Sequence, residues 1–346
     1  MIDFYDSTQR KEWVDLGKGI SILMVVLFHC EVYTHIVDTG TTDIFSFFRM
    51  PFFFFLSGFV FTSNYKEFSL RRKLKQILRG IVWTYFVFTL ILLLPKCVVS
   101  GKEVRAGIEA ILLGKAAWFV VSLGVAQLLF GIVLRLTRDL RAIAVFMAAS
   151  VGIGAVIKTL ASGELPFQVD KAFFVVFFFG LGFFYRIYEQ RLSRLLKWRY
   201  LWLSVGAFAA LMAMEERVLG SSTGNVFWAE SAQNLPLFML YATVGVLMML
   251  IIVNKLPVRR MHLICYIGAN SLVFYYLNGG VIKLWRAVYH HVESYLMAYS
   301  ALTFVVLFIV VAATLFLIVL LIRKYCPILV GDKNAFAKLM SRCRRV

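Results

Sequence analysis

The sequence predicts an all-α polytopic membrane protein: one bundle of about ten transmembrane helices with both termini in the cytoplasm. Three observations lead there. Hydrophobic residues make up 61% of 346 positions against 16% charged, with a mean hydropathy of +0.80, which leaves too little polar surface to cover a soluble globule. The apolar residues fall in runs long enough to cross a bilayer as helix, roughly 20 residues each. The basic residues are unevenly shared between the segments that join those runs.

The expected spans lie near 14 to 35, 44 to 63, 80 to 97, 116 to 136, 141 to 160, 171 to 187, 200 to 216, 235 to 254, 263 to 284 and 300 to 322. With the N-terminus inside, 26 of the 37 lysines and arginines belong to inner segments and nine to outer ones. That asymmetry supports cytoplasmic termini and an even number of crossings. Segments 96 to 115 and 217 to 234 then face outside, the second reading as a Gly, Ser and Asn-rich loop. The polar opening MIDFYDSTQRKE argues against a cleaved secretory signal, so the first helix is expected to stay in the membrane. The chain reads as a single domain, 1 to 346, of which 323 to 346 form a basic cytoplasmic tail. The net charge of +18 is a topology signal here; no basic stripe with an aromatic platform suggests nucleic acid. The cysteines form no CxxC pair, and the five histidines show no convergent spacing with carboxylates, so no metal site is expected.

The first span contains the most informative side chain. His29 sits inside GISILMVVLFHCEVY, and an ionisable group at that depth is costly without a partner or a function. Lys18 precedes it by eleven residues. Eleven steps of 100° return to within about 20° of the start and rise about 16.5 Å, so both side chains share a helix face. Asp15, one turn before Lys18, lies near the same stripe, whereas Glu31 points about 200° away from His29. Structural alternatives stand beside these: a lysine snorkelling to the interface, and a histidine hydrogen-bonded to a neighbouring helix. In the second span, FSFFRMPFFFFLSGFVF, Arg49 stands at the outer end and Ser57 and Gly58 in the inner half. Small residues and a proline suit a close or bent helix contact.

The order of motifs is similar to that of the acyltransferase-3 family of membrane acyltransferases, in particular its fucose O-acetylase-like branch. RKEWVDLGKGISILMVVLFH resembles the family's basic residue, ten residues and histidine; RMPFFFFLSGF resembles its MPxFFxxSG signature. LRRKLKQILRGIVWTYFVF, AAWFVVSLGVAQLLF, FFVVFFFGLGFFYR and IGANSLVFYYLNGGVIKL follow in the family's order. Three positions depart from it. Lys18 stands for a common arginine, Ile81 and Val82 replace a proline before Tyr85, and Asn278 replaces a second histidine. His29 is thereby left as the one expected buried base.

The resemblance implies transfer of an acetyl group from acetyl-CoA to a hydroxyl of a cell-surface or lipid-linked carbohydrate, in the inner (plasma) membrane. His29 is the expected general base, or alternatively an acyl relay. Lys18, Arg71, Arg72, Lys73 and Lys75 are the candidate donor-binding cations. Asp15, Arg49, Ser57, Trp118, Asn270, Ser271 and Asn278 are candidates to line the cavity or meet the acceptor, Asn270 and Asn278 as amide donors or as helix-to-helix hydrogen bonds. No permanently bound cofactor is expected; the partners are the bilayer, acetyl-CoA and the carbohydrate. The sequence leaves the oligomeric state open, a homodimer included. A transporter or flippase of a lipid-linked sugar is the competing expectation, because intramembrane charges and glycine-bearing helices suit it equally.

Overall fold

The computed structural model describes residues 11 to 337, except 39, 41, 63, 102, 162, 215 to 226, 228 to 233 and 292 to 299, and the side chains of 99 and 100. The first helix, α1 (Glu12–Thr34), runs unbroken through the sequence that carries Lys18 and His29. Glu12 and Asp15 in its first turn offset the positive end of the helix dipole. It stops at His35, whose left-handed backbone (φ 55°) returns its N–H to the Glu31 carbonyl. A 3-10 turn, Asp43–Phe47, leads into α2 (Arg49–Phe59), every residue of which is buried. Pro51 is tolerated there because it falls in the first turn, where a backbone N–H has no intrahelical acceptor.

The chain continues through α3 (Leu70–Ile91), which widens to a π-turn at Leu78–Val82, then α4 (Leu93–Ser100) and α5 (Val104–Leu112). Next come α6 (Trp118–Leu136), α7 (Leu140–Leu160), α8 (Val169–Ile187), α9 (Trp198–Met214) and α10 (Leu235–Lys255). The bundle closes with α11 (His262–Ala269), α12 (Ser271–His290) and α13 (Ser300–Tyr325).

Two glycine-mediated crossings hold the centre together. A methyl group on Gly58 of α2 would overlap the Phe179 carbonyl of α8, and one on Gly182 of α8 would overlap the Phe55 carbonyl of α2. Likewise Gly268 of α11 abuts the Asp15 carbonyl and Gly19 of α1 the Ile264 carbonyl. Lipid tails are as apolar as leucine, so helices in a bilayer associate through such close van der Waals contact and not through expulsion of water. Around these crossings α1 also packs on α2, α10, α12 and α13, while α8 packs on α6 and α7. Fully buried phenylalanines fill the gaps, Phe130 meeting Phe61, Phe179 and Phe183 within 6 Å.

The protein is helical and multi-pass. Seven described helices are long and apolar enough to cross a membrane: α1, α3, α6, α7, Pro166–Ile187, α10 and α13. The expected count of ten is not reproduced by length and composition. The 44 to 63 run yields only the 11-residue α2, because a 3-10 turn takes its beginning, and the 200 to 216 run yields the 17-residue α9. The 263 to 284 run is broken at Asn270 into α11 and α12, and α12 carries Lys283 and Arg286. Segment 96 to 115, expected to face outside, contains the end of α4 and all of α5. The predicted loop 217 to 234 lies almost wholly outside the described residues. The expected tail is ordered at its start: residues 327 to 332 turn back against α3, where Trp83 Nε1 donates to the Ile328 carbonyl at 2.8 Å and the Phe336 ring meets Trp83 at 5.2 Å.

Candidate functional site

Helix α1 presents one chemical group near each end. Toward its C-terminus, the His29 Nδ1 lies 2.7 Å from Asn278 Oδ1 of α12. The amide of Asn278 has its orientation imposed by its own helix: Nδ2 donates to the Tyr275 carbonyl at 2.6 Å and approaches the Phe274 carbonyl at 3.4 Å. Carbonyl oxygens only accept, so the NH₂ end stays with them and Oδ1 faces the imidazole. Nδ1 is therefore the protonated nitrogen, and Nε2 keeps its lone pair. Tyr33 stacks on the His29 ring at 5.6 Å between centroids, 27° between planes, with Phe28 tilted at 5.6 Å.

Arg49 is buried beside this pair, 3% exposed, with its guanidinium carbon 4.0 Å from the centroid of the Phe28 ring. Its Nη1 has no hydrogen-bond partner among the described residues, while Asp43 and Glu31 lie within electrostatic reach. Glu31 itself is 1% exposed and accepts from the backbone N–H groups of Gly40 (2.5 Å) and Thr42 (2.8 Å). A carboxylate satisfied in this way clamps the connection leading to α2, and so sets where Arg49 enters.

At the other end of α1, Lys18 borders a cavity of about 280 Å³ lined also by Ser57, Lys73, Gln127, Ser271 and Arg323. A second cleft of about 320 Å³ adjoins it, with Arg72, Lys73, Ser69 and Asn64 in its wall. Lys18 projects over the Phe53 ring at 5.6 Å, and Lys73 is anchored to the Phe61 carbonyl at 2.9 Å. Desolvation at this polar, cation-rich concavity favours an anionic ligand that pairs with the charges.

The expected site residues divide into groups. Lys18, Lys73, Ser57, Asn270 and Ser271 meet at the first cavity, and Arg72 at the second. Arg71 and Lys75 are exposed and line neither. Arg49 and Asn278 stand at His29. Asp15 is buried at the α1 to α11 crossing and is not among the cavity residues. Trp118 starts α6 and is not among the cavity residues; it stacks on Phe227 at 5.5 Å, with Lys171 Nζ 5.7 Å from its ring. Asn270 and Asn278 spend their amide N–H groups on their own helices: Asn270 Nδ2 donates to the Tyr266 carbonyl at 2.8 Å.

Two participants are absent from the sequence expectations. Arg323 enters the cavity from the end of α13, donates from Nε to Asn270 Oδ1 and has Nη1 4.0 Å from Asp332. In sequence it looks like any basic residue closing a span, and nothing local points to its polar partner. Glu31 is the other: the sequence turns it away from His29, and a carboxylate within an apolar run is the signal that it has a partner elsewhere.

With this geometry established, the comparisons are specific. A family model, Acyl_transf_3, described as an acyltransferase domain, matches residues 11–323. No curated protein and no solved structure matches the chain.

Proposed function

The chain belongs to the acyltransferase-3 family and is a membrane acyltransferase, and from that premise we propose that it moves an acetyl group from acetyl-CoA to a hydroxyl of a cell-surface or lipid-linked carbohydrate. The observation that carries this is the His29 to Asn278 hydrogen bond, which leaves Nε2 as the basic nitrogen. The acceptor hydroxyl attacks the thioester carbonyl carbon while Nε2 takes its proton. The tetrahedral oxyanion forms next to the Arg49 guanidinium, which supplies positive charge in a dry environment. Collapse breaks the carbon–sulfur bond, the imidazolium returns its proton to the departing thiolate, and an ester and free CoA result.

The donor enters from the cytoplasm, in the inner (plasma) membrane, with both termini on the same side. Its phosphates pair with Lys18, Lys73, Arg72 and Arg323, and its extended arm follows the α1 face toward His29. Ser271 and Asn278, seven residues apart on α12, share a helix face that runs parallel to it.

Radiolabelled acetyl transfer in proteoliposomes tests this function. Folded His29→Ala keeps acetyl-CoA binding and loses turnover by about 10²- to 10⁴-fold, the range for a positioned general base. Normal turnover of that variant overturns the role of His29. Movement of a lipid-linked sugar across the bilayer without acetyl incorporation overturns the enzyme in favour of a flippase.

A further inference from the structure

The concavity at Lys18 and Arg72 continues past both residues. A third cleft, of about 250 Å³, shares Thr62 and Asn64 with the Arg72 cleft and adds Lys66 and Arg186 to its wall. A fourth, of about 640 Å³, shares Arg186 and Ile187 with the third and ends among Lys11, Glu189 and Arg191. These shared walls put the four clefts in one row. The segment between α2 and α3 borders the middle two, and Arg138 holds it in place: Nη1 donates to the Tyr65 carbonyl at 2.9 Å and Nη2 to the Phe68 carbonyl at 3.1 Å. Lys11 caps α1 seven positions before Lys18, about 10.5 Å along the helix axis.

The far end of the row is built around one carboxylate. Lys11 Nζ donates to both oxygens of Glu189 at 2.5 and 2.6 Å, and Arg186 Nη1 reaches the same group at 3.3 Å. Both cations also lie over the Phe59 ring, 5.2 and 5.0 Å from its centroid. Glu189 thus fixes two cations, and with Arg191 the wall carries three positive charges against one negative. A guanidinium has five N–H groups, so Arg186 keeps donors to spare for a second anion. Coenzyme A carries its charge in two places: a pyrophosphate, and a 3′-phosphomonoester on the other side of the ribose. A phosphomonoester holds about −1.5 to −2 at pH 7 and gains most where cations cluster. Resting on the acetyl-CoA donor function above, we infer that the donor's anionic groups are bound apart: the pyrophosphate at Lys18, Lys73, Arg72 and Arg323, and the 3′-phosphomonoester at Arg186, Lys11 and Arg191, with the adenosine along the clefts between. Arg186, which borders both the third and the fourth cleft, is the central contact.

The test uses the full chain in phosphatidylcholine nanodiscs, titrated calorimetrically with CoA and with 3′-dephospho-CoA, which differ only in that phosphate. The wild type binds CoA tighter by about tenfold or more, as one charge-assisted contact provides. In Arg186→Gln the ratio falls toward one, Arg186→Lys restores part of it, and Lys11→Gln and Arg191→Gln each lower it partway. A merely structural loss weakens both ligands alike and leaves the ratio standing. A wild-type ratio near one, or an unchanged ratio in folded Arg186→Gln, overturns the inference while leaving CoA binding intact. Binding of neither ligand overturns the acetyl-CoA donor and this inference with it. A second arm adds phosphatidylglycerol to the nanodiscs and counts retained lipid by native mass spectrometry. If Arg186→Gln sheds that lipid while the CoA ratio holds, the cations serve a lipid headgroup and the inference fails.

Discussion

Asn278 dictates the tautomer of His29: its amide N–H groups are committed to backbone carbonyls of α12, so its oxygen accepts a hydrogen bond from Nδ1–H and the lone pair is left on Nε2. The residue that faces the imidazole cannot itself titrate. Proton traffic in the proposed transfer thus runs through one imidazole.

Asn278→Ala removes an acceptor that faces the imidazolium in the transition state. A hydrogen bond to a charged group is worth about 1.5–3 kcal/mol, so kcat falls about 10- to 150-fold with the KM for acetyl-CoA unchanged. Asn278→Asp keeps an oxygen in place and retains more activity than Asn278→Ala. Equal losses in the two variants, measured as steady-state kinetics, remove the tautomer argument.

The cavity cations divide differently. Lys18→Ala, Lys73→Ala and Arg323→Ala each raise the KM for acetyl-CoA by about tenfold or more, one charge-assisted contact apiece, with kcat changed less. Arg71→Ala and Lys75→Ala, exposed residues that line neither cleft, leave that KM within about twofold. Isothermal titration with acetyl-CoA, read beside the kinetics, separates binding from turnover.

Gly58→Ala and Gly182→Ala push a methyl group into the opposing backbone of the α2 to α8 crossing. Overpacking of this kind costs about 1–3 kcal/mol, seen as a lower thermal midpoint in detergent. Gly206→Ala in α9 meets nothing within 4 Å and serves as the contrast. It raises the midpoint slightly, since alanine is favoured over glycine inside a helix by about 1 kcal/mol. Similar shifts for all three exclude backbone proximity as the cause.

Glu164, in the turn before α8, has a carboxyl group that burial pushes up but that Lys171, hydrogen-bonded at 2.7 Å, holds below the ordinary range on balance. A depressed folded value stabilises above the unfolded pKa of about 4.3 and the contribution disappears as pH falls through the folded value. Thermal midpoints of wild type and Glu164→Gln accordingly converge on acidification below pH 4 and separate above pH 5, by a small margin because the side chain is half exposed. A constant gap from pH 3 to 7 counts against the pair.

Much of α1 is legible in the sequence alone, since a continuous apolar run specifies an unbroken helix and such a helix puts Lys18 and His29 on one face. The MPFFFF and SGF residues foretold a close helix contact at Gly58, but not that its partner is Phe179. What lay beyond reach depends on long-range geometry. Hydropathy weighs composition and not hydrogen bonding, so it could not register the break at Asn270 or the brevity of α2. It equally counts Arg323 as a topology marker, because nothing local records that the chain returns to Asn270. Asn278 stands out in the sequence by its polarity within an apolar run; that its oxygen meets His29 follows only from the packing of α12 on α1.

The unbroken course of α1 turns one helix into a ruler. Its ends are pinned by glycine contacts to α11 near Lys18 and by the Asn278 bond at His29, and the interval is eleven peptide rises, about 16.5 Å. No hinge exists within it to shorten or stretch that length. In the proposed transfer, a donor gripped by its charged end at Lys18 would bring its reactive carbon to the imidazole only with a flexible arm of matching contour. On that proposal, thioesters of carriers with a shorter arm would react poorly even when they carry the same acyl group.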